Sequence, residues 1–452
     1  MKHLLLLLSL ALFSSTLMSK SYVKQKPLKY KDSQAVFPDV LAAHYEITYD
    51  VEKKQATAIS SFIFKMEDPG YPVFDLVPEA SAVLINDAKA ELKALQIPNV
   101  TKVKIVTKKL KRGEHIVQMK NTFTRLVKFD SNSASSAFWM SDLSDRQYLE
   151  QYLPTPLEYD QFKITMEVKI KGSTSDHVIF TNGKTKEVSK NNFSISYPKY
   201  YTASSIFFHL MPAGSYSITE AKHKSIDGRI IPITVYSKSS LLSINGFKKD
   251  ALKFIKVLER DFGPWPHDAL LINAVGPFNG GMEYAGATWT SQRALRHEMD
   301  HSYFARNIMP GRGNAGWIDE AIASWGDDNY KQTSNISPTA VASHSPYRRT
   351  TDRNAYGPGS RLLGFLDAKF ADKGGLKKFL KDYFERNNRS VISNKFFKKE
   401  MEDFFNVDLT AFFNKYIYSK NLKRLKSRKN YVEQVRNPYH RKFTEKELRK
   451  FL

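Results

Sequence analysis

The 452-residue chain contains no cysteine. Disulfides, thiolate metal sites and a cysteine nucleophile are therefore excluded, and stability must come from buried apolar surface. Long apolar runs are scarce as well. The N-terminus MKHLLLLLSLALFSSTLMSKS has a basic start and an apolar run from Leu4 to Phe13, too short for a comfortable membrane span. It reads as a secretory signal peptide over residues 1–20, with an uncleaved N-terminal anchor as the alternative because no clear A-x-A site follows. Negative charge is the minority: 46 Asp and Glu stand against 69 Lys and Arg, a formal net charge of +23. Residues 420–452 hold twelve Lys/Arg against three Glu, so this basic C-terminal tail alone carries +9. The remaining excess is spread through lysine-rich strands and lacks the basic–aromatic interleaving of a nucleic-acid groove, so no nucleic-acid partner is expected. Electrostatic contact of the tail with an anionic envelope surface, or plain solubilisation, fits that distribution better.

Two kinds of periodicity divide what is there, giving an α+β multidomain chain. Over residues 27–237, apolar residues alternate: Tyr45, Ile47, Tyr49 and Val51, then Phe62, Phe64 and Met66. Phe162, Ile164, Met166, Val168 and Ile170 follow, and later Ile231, Ile233 and Val235. Turn signals stand at Asn182-Gly183 and Asp227-Gly228. This predicts an N-terminal antiparallel β domain, saddle-like or sandwich-like. From Leu242 the period becomes helical, with Phe247, Ala251, Phe254, Ile255, Leu258 and Phe262 on one face until Gly263-Pro264. Residues 238–419 are expected to form a second, mostly helical domain.

That second half carries His297-Glu298-Met299-Asp300-His301, with Glu320 in the next helical run. Histidines four apart share a helix face, so both can reach one ion. Glu320 can add a third ligand and leave the fourth position of one zinc ion open for water, as a catalytic site requires. Glu298, beside His297, is placed to act as a general base. Leu295, Met299, Tyr303 and Phe304 supply an apolar stripe for the helix, and Pro310-Gly311 is expected to stop it. His, His and Glu with one open position make zinc the expected metal.

Three motifs stand in order: Gly281-Met282-Glu283-Tyr284 after Gly280, the His297–His301 motif with Glu320, and Tyr356-Gly357-Pro358-Gly359-Ser360-Arg361-Leu362-Leu363. Together they resemble the aminopeptidase N-like family of gluzincin zinc peptidases, over about His44 to Tyr418. The resemblance implies a saddle domain followed by a thermolysin-like zinc peptidase domain. It implies His297, His301 and Glu320 as zinc ligands and Glu298 as the base. Tyr356 is implied as hydrogen-bond donor to the oxyanion of the tetrahedral intermediate. Glu283 is implied as the partner of a peptide's free α-amine, with Gly280, Gly281 and Met282 forming the strand edge along which substrate lies. Asp319 reads either as an acid at a helix start or as a partner of a zinc histidine.

The chain departs from the family pattern in places. Tyr303-Phe304-Ala305-Arg306-Asn307 replaces the usual Trp-Phe-Gly-Asn run, and FWMSDLSDRQYLEQYLP offers Trp139 where the family has a second amine-anchoring Gln or Glu. The large helical C-terminal domain is expected to be absent and the cleft correspondingly open. The expected activity is an exported zinc metallopeptidase, periplasmic or extracellular, acting on short peptides as an aminopeptidase. The alternatives are a zinc endopeptidase or amide hydrolase on the same scaffold, or a non-catalytic surface-binding protein.

Overall fold

A period of two governs the first half of the chain. In the computed structural model, which describes residues 23–97, 102–157, 160–276, 280–347, 350–419, 443–450 and 452, β1 (Asp39–Asp50) and β2 (Gln55–Met66) form a long antiparallel pair. Phe62, Phe64 and Met66 point inward from β2 and are wholly buried. The expected signal peptide lies outside the described residues, as does most of the basic tail.

Six further strands complete an eight-stranded sheet. They are β3 (Ala80–Ile85), β4 (Ala88–Ala90), β5 (Gly113–Phe123), β6 (Lys163–Lys171), β7 (Lys184–Ser189) and β8 (Asn192–Ser196). The spatial order is β7-β8-β6-β1-β2-β5-β3-β4. Along β6, Ile164, Met166, Val168 and Ile170 are buried, while Glu167 and Lys169 between them and Lys163 and Lys171 at the ends are exposed. One expectation needs correcting: β6 runs parallel to β1, so the sheet is mixed and not purely antiparallel. A parallel pair needs a long connection, and the whole stretch from Asp50 to Lys163, with β2 to β5 inside it, separates these two strands. A smaller sheet, Val127–Phe129, Ala134–Ala137, Phe208–Pro212 and His177–Thr181, shares one core with the large one.

The strand Ile230–Ser237, read from sequence as the end of the β-rich half, pairs elsewhere. Here β9 (Ser217–Lys224), β10 (Ile230–Ser237), β11 (Leu270–Ala274), β12 (Gly281–Tyr284) and β13 (Ala287–Thr290) build a five-stranded sheet, ordered β9-β10-β11-β13-β12. Ile231, Ile233 and Val235 pack on the helix α1 (Ile244–Phe262) and into the core of the helical half. Alternation in β10 marked a strand but could not name the core that its apolar face would meet. Helix α1 starts on Ser243, whose side chain accepts from Gly246 N–H, and ends at Gly263 with φ 127°.

The short hairpin β12–β13 joins the two halves. Tyr284 donates its hydroxyl to the Phe138 carbonyl at 3.1 Å, and Trp289 meets Trp139 edge to face at 4.9 Å. Beyond it follow α2 (Leu295–Phe304), α3 (Trp317–Asp327), α4 (Gly357–Lys369), α5 (Gly375–Arg386) and α6 (Asn394–Phe405). Helix α2 stops at Phe304, earlier than Pro310-Gly311 suggested, because Met309–Pro310 pairs with Val391–Ile392 as a short parallel ladder. No helix among the described residues is long and apolar enough to cross a membrane.

Candidate metal centre

Helix α2 is held by Leu295, Met299 and Tyr303, all fully buried in the helical core. That anchoring turns His297, Glu298 and His301 towards the junction with the β-rich half. From α3, Glu320 reaches the same point: its Oε2 lies 3.1 Å from His297 Nε2 and 3.5 Å from His301 Nε2. One ligand atom from each of the three lies within 4.8 Å of the others, and all three residues are buried. Two imidazoles and a carboxylate converging on one point are a donor set that suits zinc.

The electrostatics agree. Burial pulls His301 down, yet the carboxylates of Glu320 and Glu283 more than offset this and hold it up at about 10. His297 is likewise buried, and Asp327 and Glu320 hold it well above its usual value. Burial would raise Glu320, but the two imidazoles keep it well below the usual carboxylate range. A field that favours protons on both imidazoles also favours a divalent cation in their place.

Glu298 is 4% exposed, and its burial, with Glu283 nearby, pushes it up to about 8 against the pull of His297. It lies against Gly281, at the start of β12. Tyr356 precedes α4, its hydroxyl donates to Glu320 Oε1 at 2.9 Å, and its ring stacks on His297. Close packing of α4 on α3 brings it there: a Cβ on Gly359 would sit 3.0 Å from Ala321 Cβ. Gly280 (φ 136°) exchanges hydrogen bonds with Ser291, and buried Met282 lines the cleft. The three ligand candidates, Glu298, Tyr356, Gly281, Met282, Glu283 and Trp139 thus line one cleft between the two halves, Gly280 directly precedes β12 at its edge, and Asp319 lines the adjoining recess.

Three residues of the site escaped the sequence reading. Asp327, and not Asp319, orients a histidine: its Oδ2 lies 2.8 Å from His297 Nδ1, leaving Nε2 to face the ligand point. The signal was available, since Asp327 lies seven residues beyond Glu320 and so on the same helical face. Asp319 instead accepts from Glu320 N–H at 2.6 Å, and burial pushes it up to about 8. Asp142, from the β-rich half, lines the cleft with Trp139 and Glu283. Arg306 is buried against Glu283 at 2.6 Å. An arginine embedded in an apolar helix end implies a carboxylate partner, although its position cannot be read from spacing.

No family model matches the chain, and no curated protein sequence does. Solved structures do. An M1 zinc metallopeptidase from Deinococcus radiodurans, a variant bound to a Tyr-Ser-Ala substrate, superposes with a TM-score of 0.62 at 14% identity, covering 85% of this chain and 95% of that one. Leukotriene A4 hydrolase from Saccharomyces cerevisiae gives 0.60 at 14% identity, covering 88% of this chain and 69% of that one. Aminopeptidase A from Legionella pneumophila, in complex with aspartic acid, gives 0.63 at 13% identity, covering 87% of this chain and 51% of that one. The chain therefore has the fold of the M1, aminopeptidase N-like zinc metallopeptidases, the fold that its ordered motifs imply.

Proposed function

We propose that the protein is an exported zinc metallopeptidase that hydrolyses the N-terminal peptide bond of short peptides. The observation carrying this reading is the convergence of His297, His301 and Glu320 on one point with Glu298 beside it. Binding alone would need no buried base there. The Tyr-Ser-Ala held by the Deinococcus structure is the class of substrate we assign.

A zinc ion held by these three residues supplies a Lewis acid for a water molecule and for the scissile carbonyl. Glu298 takes the proton from that water and passes it to the leaving amine. Tyr356, 2.9 Å from Glu320, is placed to turn its hydroxyl to the negative charge that develops on the carbonyl oxygen. Asp142 and Glu283 stand where the leading end of the peptide would lie, and the free edge of β12 offers backbone groups for an added strand.

A second reading, an endopeptidase or amide hydrolase, is favoured by one observation: Glu283 is already paired with Arg306. Aminoacyl amides and longer N-blocked peptides, assayed with and without chelator in wild type and Glu298→Gln, separate the readings, cleavage at internal bonds marking the second. Chelator-sensitive release from free-amine substrates, lost by about 10²-fold or more in Glu298→Gln while zinc is retained, is expected. Turnover that ignores both treatments rejects the proposal. Export by the N-terminal segment is tested by sequencing the N-terminus of protein recovered outside the cytoplasm.

A further inference from the structure

Arg306 is only 5% exposed, and its guanidinium is held at three points. Nη2 donates to Glu283 Oε1 at 2.6 Å, Nε to the Glu283 carbonyl at 3.2 Å, and Nη1 to Ser204 Oγ at 2.9 Å. It sits where α2 unwinds, its own N–H donating to the His301 carbonyl at 2.9 Å. The carboxylate it grips is central: one Glu283 oxygen lies within 4.8 Å of ligand atoms of both Glu298 and His301. Asp142 lines the same cleft and the recess next to it; burial and the carboxylates of Glu320 and Glu283 hold it well above the usual carboxylate range, against a hydrogen bond with Thr351, and a cation arriving beside it would relieve that crowding of negative charge.

We propose that Arg306 is a specificity-determining positioning residue: by pairing with Glu283 it offsets part of that carboxylate's charge, shifts recognition of a peptide's charged leading end towards Asp142, and so admits N-acylated peptides beside free-amine ones. The inference rests on the zinc peptidase reading and names its substrate class. A buried Glu–Arg pair presents a dipole to an incoming ammonium, whereas a lone carboxylate presents a full charge in a medium where solvent screens little. An ammonium drawn to Glu283 would also meet the guanidinium's repulsion. An acylated, uncharged leading end loses little at such a pair, and the grip holds the Glu283 carboxylate in place for either substrate. The hydrolytic step is the same in both cases: water adds across the amide and yields a carboxylate and an amine.

The test uses the full-length, zinc-loaded protein with a free-amine dipeptide amide and its N-acetyl counterpart, which share one scissile bond. In wild type, the ratio of kcat/KM for free over acetylated substrate is expected to stay within about tenfold. Arg306→Met is expected to raise that ratio by about tenfold or more, through a lower KM for the free amine with kcat little changed. Arg306→Lys, which keeps the charge, should return the ratio towards wild type. Should Arg306→Met fail to fold, by zinc content and circular dichroism, the comparison passes to Asp142→Asn and Glu283→Gln. The proposal expects Asp142→Asn to lower the ratio more than Glu283→Gln does. A folded Arg306→Met with an unchanged ratio overturns it, as does a ratio that collapses in Glu283→Gln but survives Asp142→Asn. In those two cases chelator-sensitive hydrolysis remains and the zinc peptidase reading stands. Absence of chelator-sensitive hydrolysis of either substrate in wild type overturns both.

Discussion

Gly281 and Glu298 touch in a way that leaves no room for a side chain: a Cβ on Gly281 would lie 2.6 Å from Glu298 Oε1 and 2.7 Å from its Cδ. The glycine of β12 therefore makes space for the base on α2. Gly281→Ala should push the Glu298 carboxylate aside and cut kcat by about 10–10²-fold, given how steeply proton transfer depends on placement. Zinc content should be unchanged, since no ligand moves. Parallel measurement of kcat and bound zinc checks this, and a fully active variant would remove the steric argument.

The short contact between Asp327 and His297 Nδ1, 2.8 Å, fixes which nitrogen faces the ligand point. Asp327→Asn keeps the shape and loses the charge. Zinc affinity should drop by about 10–100-fold, the usual cost of losing such a partner, while Asp319→Asn should cost less because Asp319 bonds to backbone. Competition with a calibrated zinc chelator measures both.

His267 gives the stability a pH dependence that does not pass through the metal. It is 1% exposed, with Nε2 near the Ser302 carbonyl and Nδ1 near the Tyr200 hydroxyl. Burial lowers it from 6.5 to about 3. Because the folded value is depressed, its contribution is fully present above about pH 6.5 and is lost as pH falls towards 3, where the unfolded chain takes up a proton that the native protein refuses. On the order of 5 kcal/mol is at stake over that window. Thermal unfolding from pH 7 to 4 should show Tm falling more steeply in wild type than in His267→Gln.

The described end of the chain returns to the β-rich half. Phe443 packs edge to face on Trp139 at 5.2 Å, and Leu448 and Leu452 are buried in that core. The short helix α7 (Glu445–Arg449) is tied down by Arg449, which donates to the Val127 carbonyl at 2.9 Å. The basic segment 420–452, whose order its composition leaves open, thus docks on the β-rich half through Phe443, Leu448 and Leu452. Deleting 443–452 should cost roughly 3–5 kcal/mol for two buried leucines and an aromatic contact, and should raise KM because Trp139 lines the cleft. Urea unfolding and steady-state kinetics on the truncated chain test both halves of this.

Much of the site was legible because its signals are local. His297 and His301 are one helical turn apart, Glu320 follows in a second apolar-periodic helix, and Tyr356 opens a third. Strand identity was legible for the same reason, since alternation in Phe62, Phe64 and Met66 is a property of neighbours along the chain. Partnership was not. The parallel pairing of β6 with β1, the placing of β10 in the second sheet, and the roles of Asp142 and Arg306 all depend on residues brought together from a distance.

By itself the amino-acid sequence determined the elements and the identity of the groups that could hold a zinc ion. Periodicity and helical spacing are written in the order of residues and survive any rearrangement of the whole. Only the tertiary structure decided which charges neutralise which, because a buried carboxylate takes its partner from whatever element packs against it. Glu283 met Arg306 across a hairpin and the end of α2, and that meeting sets how much negative charge is left for a substrate.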